Sequence, residues 1–178
     1  MIKYRDKIIK VSKERSFVRK MKKVTIHLPR WEELPNIDLY LDQVVTLMEE
    51  YLGSVSKEEK IITKTMINNY VKHGILKSPE NKKYNKEHLA KIIVICILKQ
   101  IYSINDIGKL IELALDTAQI NISYNRFATE LEKAINLIFN KIETEDDYEM
   151  TEERYILKNV TKSLACKLYV EKNFLNKQ

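Results

Sequence analysis

The chain has 178 residues and a net charge of +6, and with 44% hydrophobic and 31% charged residues it can bury a core beneath a solvated surface. Only three glycines and three prolines occur, which disfavours turn-rich all-β folds and glycine-rich phosphate loops. The longest apolar run, residues 92–98, is far shorter than the ~20 residues of a membrane span, and no secretory signal is evident, so we expect a cytoplasmic protein.

The first 23 residues are strongly basic, with a net charge of +8. Residues 24–55 carry −5, residues 56–100 carry +6 and residues 101–178 carry −3. Basic blocks separated by acidic ones favour a protein that presents one face to a polyanion. We predict that residues 1–23 form a basic N-terminal arm, with a disordered or merely solubilising tail as the alternative. Met21 offers an alternative start, which would make the preceding residues a leader.

Two helices are predicted in the first third of the chain. The first spans about 37–52, because apolar residues recur there at 3.6-residue spacing up to Gly53. Residues 54–60 are polar without periodicity and predict a loop. Thr63 then caps a short second helix over 64–73, which Gly74 ends in a left-handed conformation.

The second predicted helix has two chemically different faces. At 100° per residue, its apolar side chains fill one arc and its polar side chains fill the other. The polar face consists of Lys64, Thr65, Asn68, Asn69 and Lys72. It contains no acid, whereas an ordinary solvated face usually pairs its lysines with Glu or Asp. Because Asn, Thr and Lys side chains bond base edges and phosphates, the face suits a DNA major groove, with a solvated face as the alternative.

The next segment predicts a small wing and two further helices. Residues 75–84 predict an extended stretch, a turn and a second extended stretch that runs back, with Lys82 and Lys83 at the tip. These lysines would lie on the sugar-phosphate backbone if the second helix enters the groove, and solvent-exposed lysines are the alternative. Asn85 caps a third, central helix over 86–101, which is favoured over a buried strand by its length. Ser103 begins a fourth helix over 104–115.

The remaining chain predicts a helical hairpin. A fifth apolar stripe spans residues 124–142, and the acidic stretch 143–149, which looks like a solvated connector, interrupts it. Thr151 then caps a sixth helix whose stripe extends toward Phe174. The hairpin completes the core, or it provides a dimer surface or a ligand pocket.

Residues 63–112 resemble the MerR-type winged helix-turn-helix. In that family a tyrosine-bearing recognition helix runs into Gly-Leu-Leu, a wing with Pro and Tyr-Ser, and a later Phe-Ser-Leu-Glu-Glu-Ile. The matching residues, in the same order and spacing, are Tyr70, Gly74-Ile75-Leu76, Pro79, Tyr84-Asn85, Glu87-His88-Leu89 and Tyr102-Ser103-Ile104-Asn105-Asp106-Ile107. The resemblance implies that the polar face of the second helix enters the groove while the wing lysines contact the backbone.

A closer resemblance is to the uncharacterised bacterial domain-of-unknown-function family 1836. It covers about residues 25–115 and rests on Pro29-Arg30-Trp31, Leu39-Tyr40-Leu41-Asp42-Gln43 and Ile62-Thr63-Lys64-Thr65-Met66-Ile67-Asn68-Asn69-Tyr70-Val71-Lys72. It implies no settled activity. We therefore predict a mainly α protein with a winged helix-turn-helix DNA-binding domain over 24–115 and a C-terminal helical hairpin over 116–178, packed on it or dimerising.

The predicted function is sequence-specific DNA binding by a transcriptional regulator, with a protein-interaction module on a winged-helix scaffold as the alternative. The predicted partner is double-stranded DNA, with a homodimer as an option and no membrane. The predicted DNA contacts are Lys64, Thr65, Asn68, Asn69, Lys72, Lys82, Lys83 and Tyr84.

No enzyme, cofactor or metal site is predicted. The two cysteines, Cys96 and Cys166, lack the spacing of a zinc site or of a disulfide framework. The three histidines have no ligand partners at useful spacing, and no nucleophile is paired with a base.

Overall fold

The computed structural model describes residues 24–53 and 61–175, and within them the protein is mainly α, as predicted. The helices are α1 (Leu41–Leu52), α2 (Lys64–Lys72), α3 (Lys86–Leu98), α4 (Ile104–Thr117), α5 (Ile120–Ile135) and α6 (Glu152–Val170). Two short strands, β1 (Leu39–Tyr40) and β2 (Lys83–Tyr84), form an antiparallel sheet. A 3-10 turn, Trp31–Glu33, precedes β1, and π-helical turns, Asn136–Asn140 and Glu171–Leu175, follow α5 and α6. The predicted basic arm and the predicted loop at 54–60 lie outside the described residues.

Local capping residues set the starts of four helices. In each of them, the side-chain oxygen of the capping residue accepts a backbone N–H of the first turn. The capping residues of α2, α3, α4 and α6 are Thr63, Asn85, Ser103 and Thr151, respectively. Beyond the end of α2, Gly74 has a φ of +74°, a conformation that glycine adopts without strain. These predicted boundaries are confirmed because capping depends only on residues close in sequence.

The predicted start of α1 at residue 37 is wrong. Leu39 and Tyr40 are extended, because they pair in register with Tyr84 and Lys83. The Gln43 side-chain oxygen then accepts the Tyr40 N–H at 2.8 Å and begins the helix. A strand partner more than 40 residues away therefore overrides the local apolar spacing.

Two other predicted bounds also differ. The helix α3 ends at Leu98, whose carbonyl accepts the N–H groups of Ile101 and Tyr102 at 2.9 and 3.0 Å in a tight turn before α4. The fifth apolar stripe does not reach Ile142, because the backbone turns left-handed at Lys141 with a φ of 56°. Ile142 is consequently 52% exposed.

The helix α3 lies at the centre of the core. Its helical backbone rules out the alternative of a strand, and the burial of nine of its thirteen residues explains why its sequence is apolar on most sides. Buried residues of the hairpin α5–α6, such as Leu131 and Leu164, belong to the same hydrophobic cluster. The described parts of the chain therefore share one core. Among the described helices, none combines the length and apolar character that a bilayer crossing requires.

The segment at residues 24–31, which runs into the 3-10 turn, is bonded to α5 through the Glu132 carboxylate. Glu132 Oε1 accepts the Leu28 N–H and an Arg30 guanidinium N–H, each at 2.9 Å. Glu132 Oε2 accepts a second Arg30 N–H at 2.5 Å. The side chains of Glu132 and Arg30 are only 18% and 28% exposed, so water competes weakly with this pair.

Other side chains of α5 and of the turn after it bond the same segment. The Tyr124 hydroxyl donates to the Pro29 carbonyl at 2.7 Å, and burial raises the pKa of Tyr124. The Asn140 amide bonds both the N–H and the carbonyl of Val24. The segment at residues 24–31 is thus bonded at both ends of the α5 region.

The acidic stretch 143–149 is only partly the solvated connector that its composition predicts. Asp146 accepts hydrogen bonds from Lys158 at 2.5 Å and from Lys133 at 3.4 Å, and the Lys158 bond is the main cause of a lowered Asp146 pKa. The Tyr148 hydroxyl donates to Glu130 at 2.7 Å. These bonds hold the connector against α5 and α6.

Candidate nucleic-acid interface

The helix α2 presents its polar face outward. Its apolar side chains Ile67 and Tyr70 are buried in the core. The five side chains predicted to meet DNA are all exposed: Lys64, Thr65, Asn68, Asn69 and Lys72. The C-terminal hairpin therefore does not cover this face, which is open to a macromolecular partner.

An acid from a neighbouring helix borders this face. Lys64 forms an ion pair with Asp42 in the first turn of α1, and the two side chains are 58% and 71% exposed. The face is thus free of acids within α2 but not in three dimensions. Exposed ion pairs contribute little to stability, so a phosphate can replace Asp42 at Lys64.

The predicted wing contains a two-residue hairpin turn. The Lys83 N–H donates to the Glu80 carbonyl at 2.8 Å, and the intervening residues Asn81 and Lys82 have φ angles of 49° and 62°. Two consecutive positive φ angles are typical of a type I′ turn, in which Asn is common at the first position and Gly at the second. A lysine occupies the position where glycine is preferred.

We expect Lys82→Gly to increase the free energy of unfolding by ~0.5 to 1 kcal/mol. Glycine has no Cβ, so it adopts the left-handed conformation of this position without strain, and this gain exceeds the backbone entropy that glycine loses on folding. Urea denaturation followed by circular dichroism measures the change. Asn81→Gly serves as the matched control and should gain less, since Asn tolerates this conformation. A lower stability of Lys82→Gly would contradict the expectation.

The small sheet brings the base of the hairpin to the start of α1. Tyr40 pairs with Lys83, and the Lys83 ammonium lies 5.2 Å from the centre of the Tyr40 ring. Asp42, two residues beyond Tyr40, contacts Lys64. The hairpin lysines and the first residue of α2 therefore lie at the same end of α1, which the sequence alone did not indicate.

Tyr84 is a correction to the predicted DNA contacts. Its side chain is 3% exposed, and burial raises the pKa of its hydroxyl. Its ring packs edge-on against His88, with 5.4 Å between ring centres. Alternation along a two-residue strand explains the error, because Lys83 and Tyr84 must point to opposite faces. Tyr84 therefore anchors the hairpin to the core and is not available for DNA contact.

His88 joins the hairpin to the start of α3. Its Nε2–H donates to the Lys77 carbonyl at 3.1 Å, and its Nδ1 lies 3.2 Å from the Asn85 backbone nitrogen and 2.6 Å from Asn85 Oδ1. Burial lowers the pKa of His88 below its ordinary value of 6.5, and this effect outweighs the opposing effect of the Lys77 carbonyl. The folded protein therefore favours the neutral imidazole.

The free energy of unfolding should fall as the pH is lowered through 6.5, because the unfolded chain then takes up a proton at His88 that the folded chain resists. The stability that the neutral His88 side chain contributes is fully present above pH 6.5, and it is lost as the pH falls toward the lowered pKa. Thermal denaturation at pH 7.5 and pH 5.5 tests this expectation. His88→Gln retains a hydrogen-bonding side chain, so it should show a smaller difference between the two conditions.

A cleft of about 480 Å³, which the sequence does not indicate, lies beside the polar face. Asn69 and His73 of the α2 region line one wall, and Ser103 and Asn105 at the start of α4 line the other. Only the packing of α2 near α4 brings them together, so no local pattern could reveal them.

Across residues 24–53 and 61–175, no group of three His, Cys, Asp or Glu side chains is placed to hold a metal ion.

Comparison with known proteins identifies a family but no activity. A family model described as "Domain of unknown function (DUF1836)" matches residues 29–128, which is 100 of the 178 residues. No curated protein and no solved structure matches the chain. The matched region contains α2, the hairpin and the central helix α3.

Proposed function

This chain belongs to the DUF1836 family, and we propose that it is a sequence-specific DNA-binding transcriptional regulator. The observation that carries the proposal is the exposed face of α2, which offers lysine, threonine and asparagine side chains and no acid of its own. Asparagine can read adenine through two hydrogen bonds, and lysine and threonine contact bases or phosphates. In this proposal α2 enters the major groove as the recognition helix.

The hairpin at residues 80–84 acts in this proposal as the wing of a MerR-like winged helix. Lys82 and Lys83 contact the sugar-phosphate backbone beside the groove that α2 occupies. Two observations support this role: Lys83 and Lys64 lie at the same end of α1, and Lys82 occupies a backbone position that favours glycine. A strained residue at an exposed tip is explained if its charge serves binding.

Regulators of this kind commonly bind two-fold operators as homodimers. The proposal therefore includes a cytoplasmic homodimer on such a site. The C-terminal hairpin offers exposed apolar side chains for contact between copies, including Tyr155, Val170 and Leu175.

The experiment is selection of bound genomic fragments by the purified full chain, followed by affinity measurements at several salt concentrations. The logarithm of the binding constant should fall with the logarithm of salt concentration, by about 0.9 for each phosphate contacted. Lys82→Gly should weaken binding to all sequences several-fold and reduce this slope by about 1. Since the same variant is expected to fold more stably, unfolding cannot explain the loss.

Lys162→Gln is the matched control, because Lys162 is exposed on α6 away from the proposed interface. It should leave both affinity and slope unchanged. Failure to select any sequence, or retention of DNA with equal affinity by Lys82→Gly, would contradict the proposal. A protein-interaction module would instead bind its partner with little response to salt.

A further inference from the structure

A cleft with an almost entirely apolar lining lies among α3, α4, α5 and α6. Val94 and Leu98 contribute from α3, Leu110 and Ala114 from α4, and Phe127 from α5. The cleft has a volume of about 80 Å³, which is small for a ligand site and suits only a slender ligand.

The helix α4 leaves this cleft unfilled. Although it has 14 residues and an amphipathic sequence, Ile107 is its one buried side chain. Leu110, Ile111, Leu113 and Leu115 remain partly exposed and line the cleft. A helix that packs fully against a core buries its whole apolar stripe, so α4 retains apolar surface that a ligand could cover.

Most polar groups of the cleft already have partners. The Ser123 hydroxyl donates to the Ala114 carbonyl at 2.9 Å, and the Tyr124 hydroxyl is bonded to the Pro29 carbonyl outside the cleft. The Glu153 carboxylate, 8% exposed, pairs with Arg126 at 3.6 Å. Its negative charge is thus balanced within the protein.

Lys91 is the exception among the polar residues of the cleft. It is partly exposed, it lines the cleft, and within the described residues its ammonium has no hydrogen bond or ion pair. It shares one stripe of α3 with Val94 and Leu98, three and seven residues further on. Its aliphatic stem can therefore follow the apolar wall while its charge stays near water.

We propose that this cleft binds a small amphiphilic carboxylate, such as a medium-chain fatty acid. The hydrocarbon chain lies against the apolar walls formed by α3, α4 and α5, and the carboxylate pairs with the Lys91 ammonium. An amphiphilic amine fits less well, because the one carboxylate of the cleft already pairs with Arg126. The proposal does not depend on DNA binding.

The test is isothermal titration of the full chain with octanoate, with 1-octanol and octylamine as probes of the head group. Octanoate should bind at one saturable site. Lys91→Met keeps the aliphatic stem and removes the charge, so it should weaken octanoate binding about tenfold or more. The same variant should bind 1-octanol as the unmodified chain does. Lys109→Met, on the exposed side of α4, is the matched control and should bind octanoate normally.

A second variant tests the position of the chain. Ala114→Leu adds side-chain volume to the cleft and should weaken both octanoate and 1-octanol, with thermal denaturation confirming that the variant is folded. The proposal is overturned if octanoate shows no saturable binding, if Lys91→Met binds it as tightly as the unmodified chain, or if octylamine binds more tightly than octanoate. If Ala114→Leu does not fold, the Lys91→Met result decides.

Discussion

Replacing Asn68 and Asn69 together with alanine is expected to remove most sequence preference from DNA binding. An asparagine that bonds adenine through two hydrogen bonds contributes ~1 to 3 kcal/mol of discrimination, so losing two such contacts should reduce specific affinity by a factor of ~30 or more. Binding to unrelated DNA should persist, since the lysines that we propose to contact phosphates remain. Fluorescence anisotropy with selected and scrambled duplexes measures both affinities.

The fold gives this prediction a clean control. Both asparagines are exposed within α2, and alanine has the higher helix propensity, so the double variant should be at least as stable as the original chain. Asn159→Ala makes the same change on an exposed face of α6 and should not affect DNA binding. Equal loss of specific and unrelated DNA would show that these side chains do not read bases.

Glu132→Ala should lower the free energy of unfolding by ~2 to 4 kcal/mol. The substitution leaves the partly buried Arg30 guanidinium without its carboxylate and the Leu28 N–H without its acceptor. We expect residues 24–31 to detach from α5 more readily, which limited proteolysis near Leu28 would detect. Urea denaturation gives the change in stability.

Two further variants separate the charge from the hydrogen bond. Glu132→Gln retains an oxygen that can accept the Leu28 N–H. It should therefore lower the free energy of unfolding by less than Glu132→Ala does. The double variant Arg30→Met and Glu132→Ala removes both charges. It should lower the free energy of unfolding by less than the sum of the decreases caused by the two single substitutions. Additive losses would mean that the pair contributes no coupling energy.

The sequence predicted the features that depend on neighbouring residues. The helix starts at Thr63, Asn85, Ser103 and Thr151 followed from capping, and the two faces of α2 followed from helical periodicity. In each case the residues that determine the structure lie within a few positions of one another. Local interactions of this kind act whatever the rest of the chain does.

The features that the sequence did not reveal depend on residues distant in the chain. Tyr84 follows two lysines and was therefore predicted to contact DNA. Its strand pairs with Leu39, and this pairing directs the Tyr84 side chain into the core. The acid beside α2 comes from Asp42 on another helix. Glu132 and Arg30 lie 102 residues apart, and no periodicity links them. These contacts are determined by the packing of elements against one another. The local patterns of a single sequence do not predict that packing.

The hydrophobic core extends beyond the region that the family model matches. The family match ends at residue 128, within α5, yet Leu131, Ile135, Val160 and Leu164 beyond it belong to the same hydrophobic cluster. Glu132, the anchor of residues 24–31, also lies outside the match. A recombinant fragment cut to residues 29–128 would expose the flank of α3 and aggregate. Expression of the family region for biochemistry therefore requires the C-terminal hairpin as well.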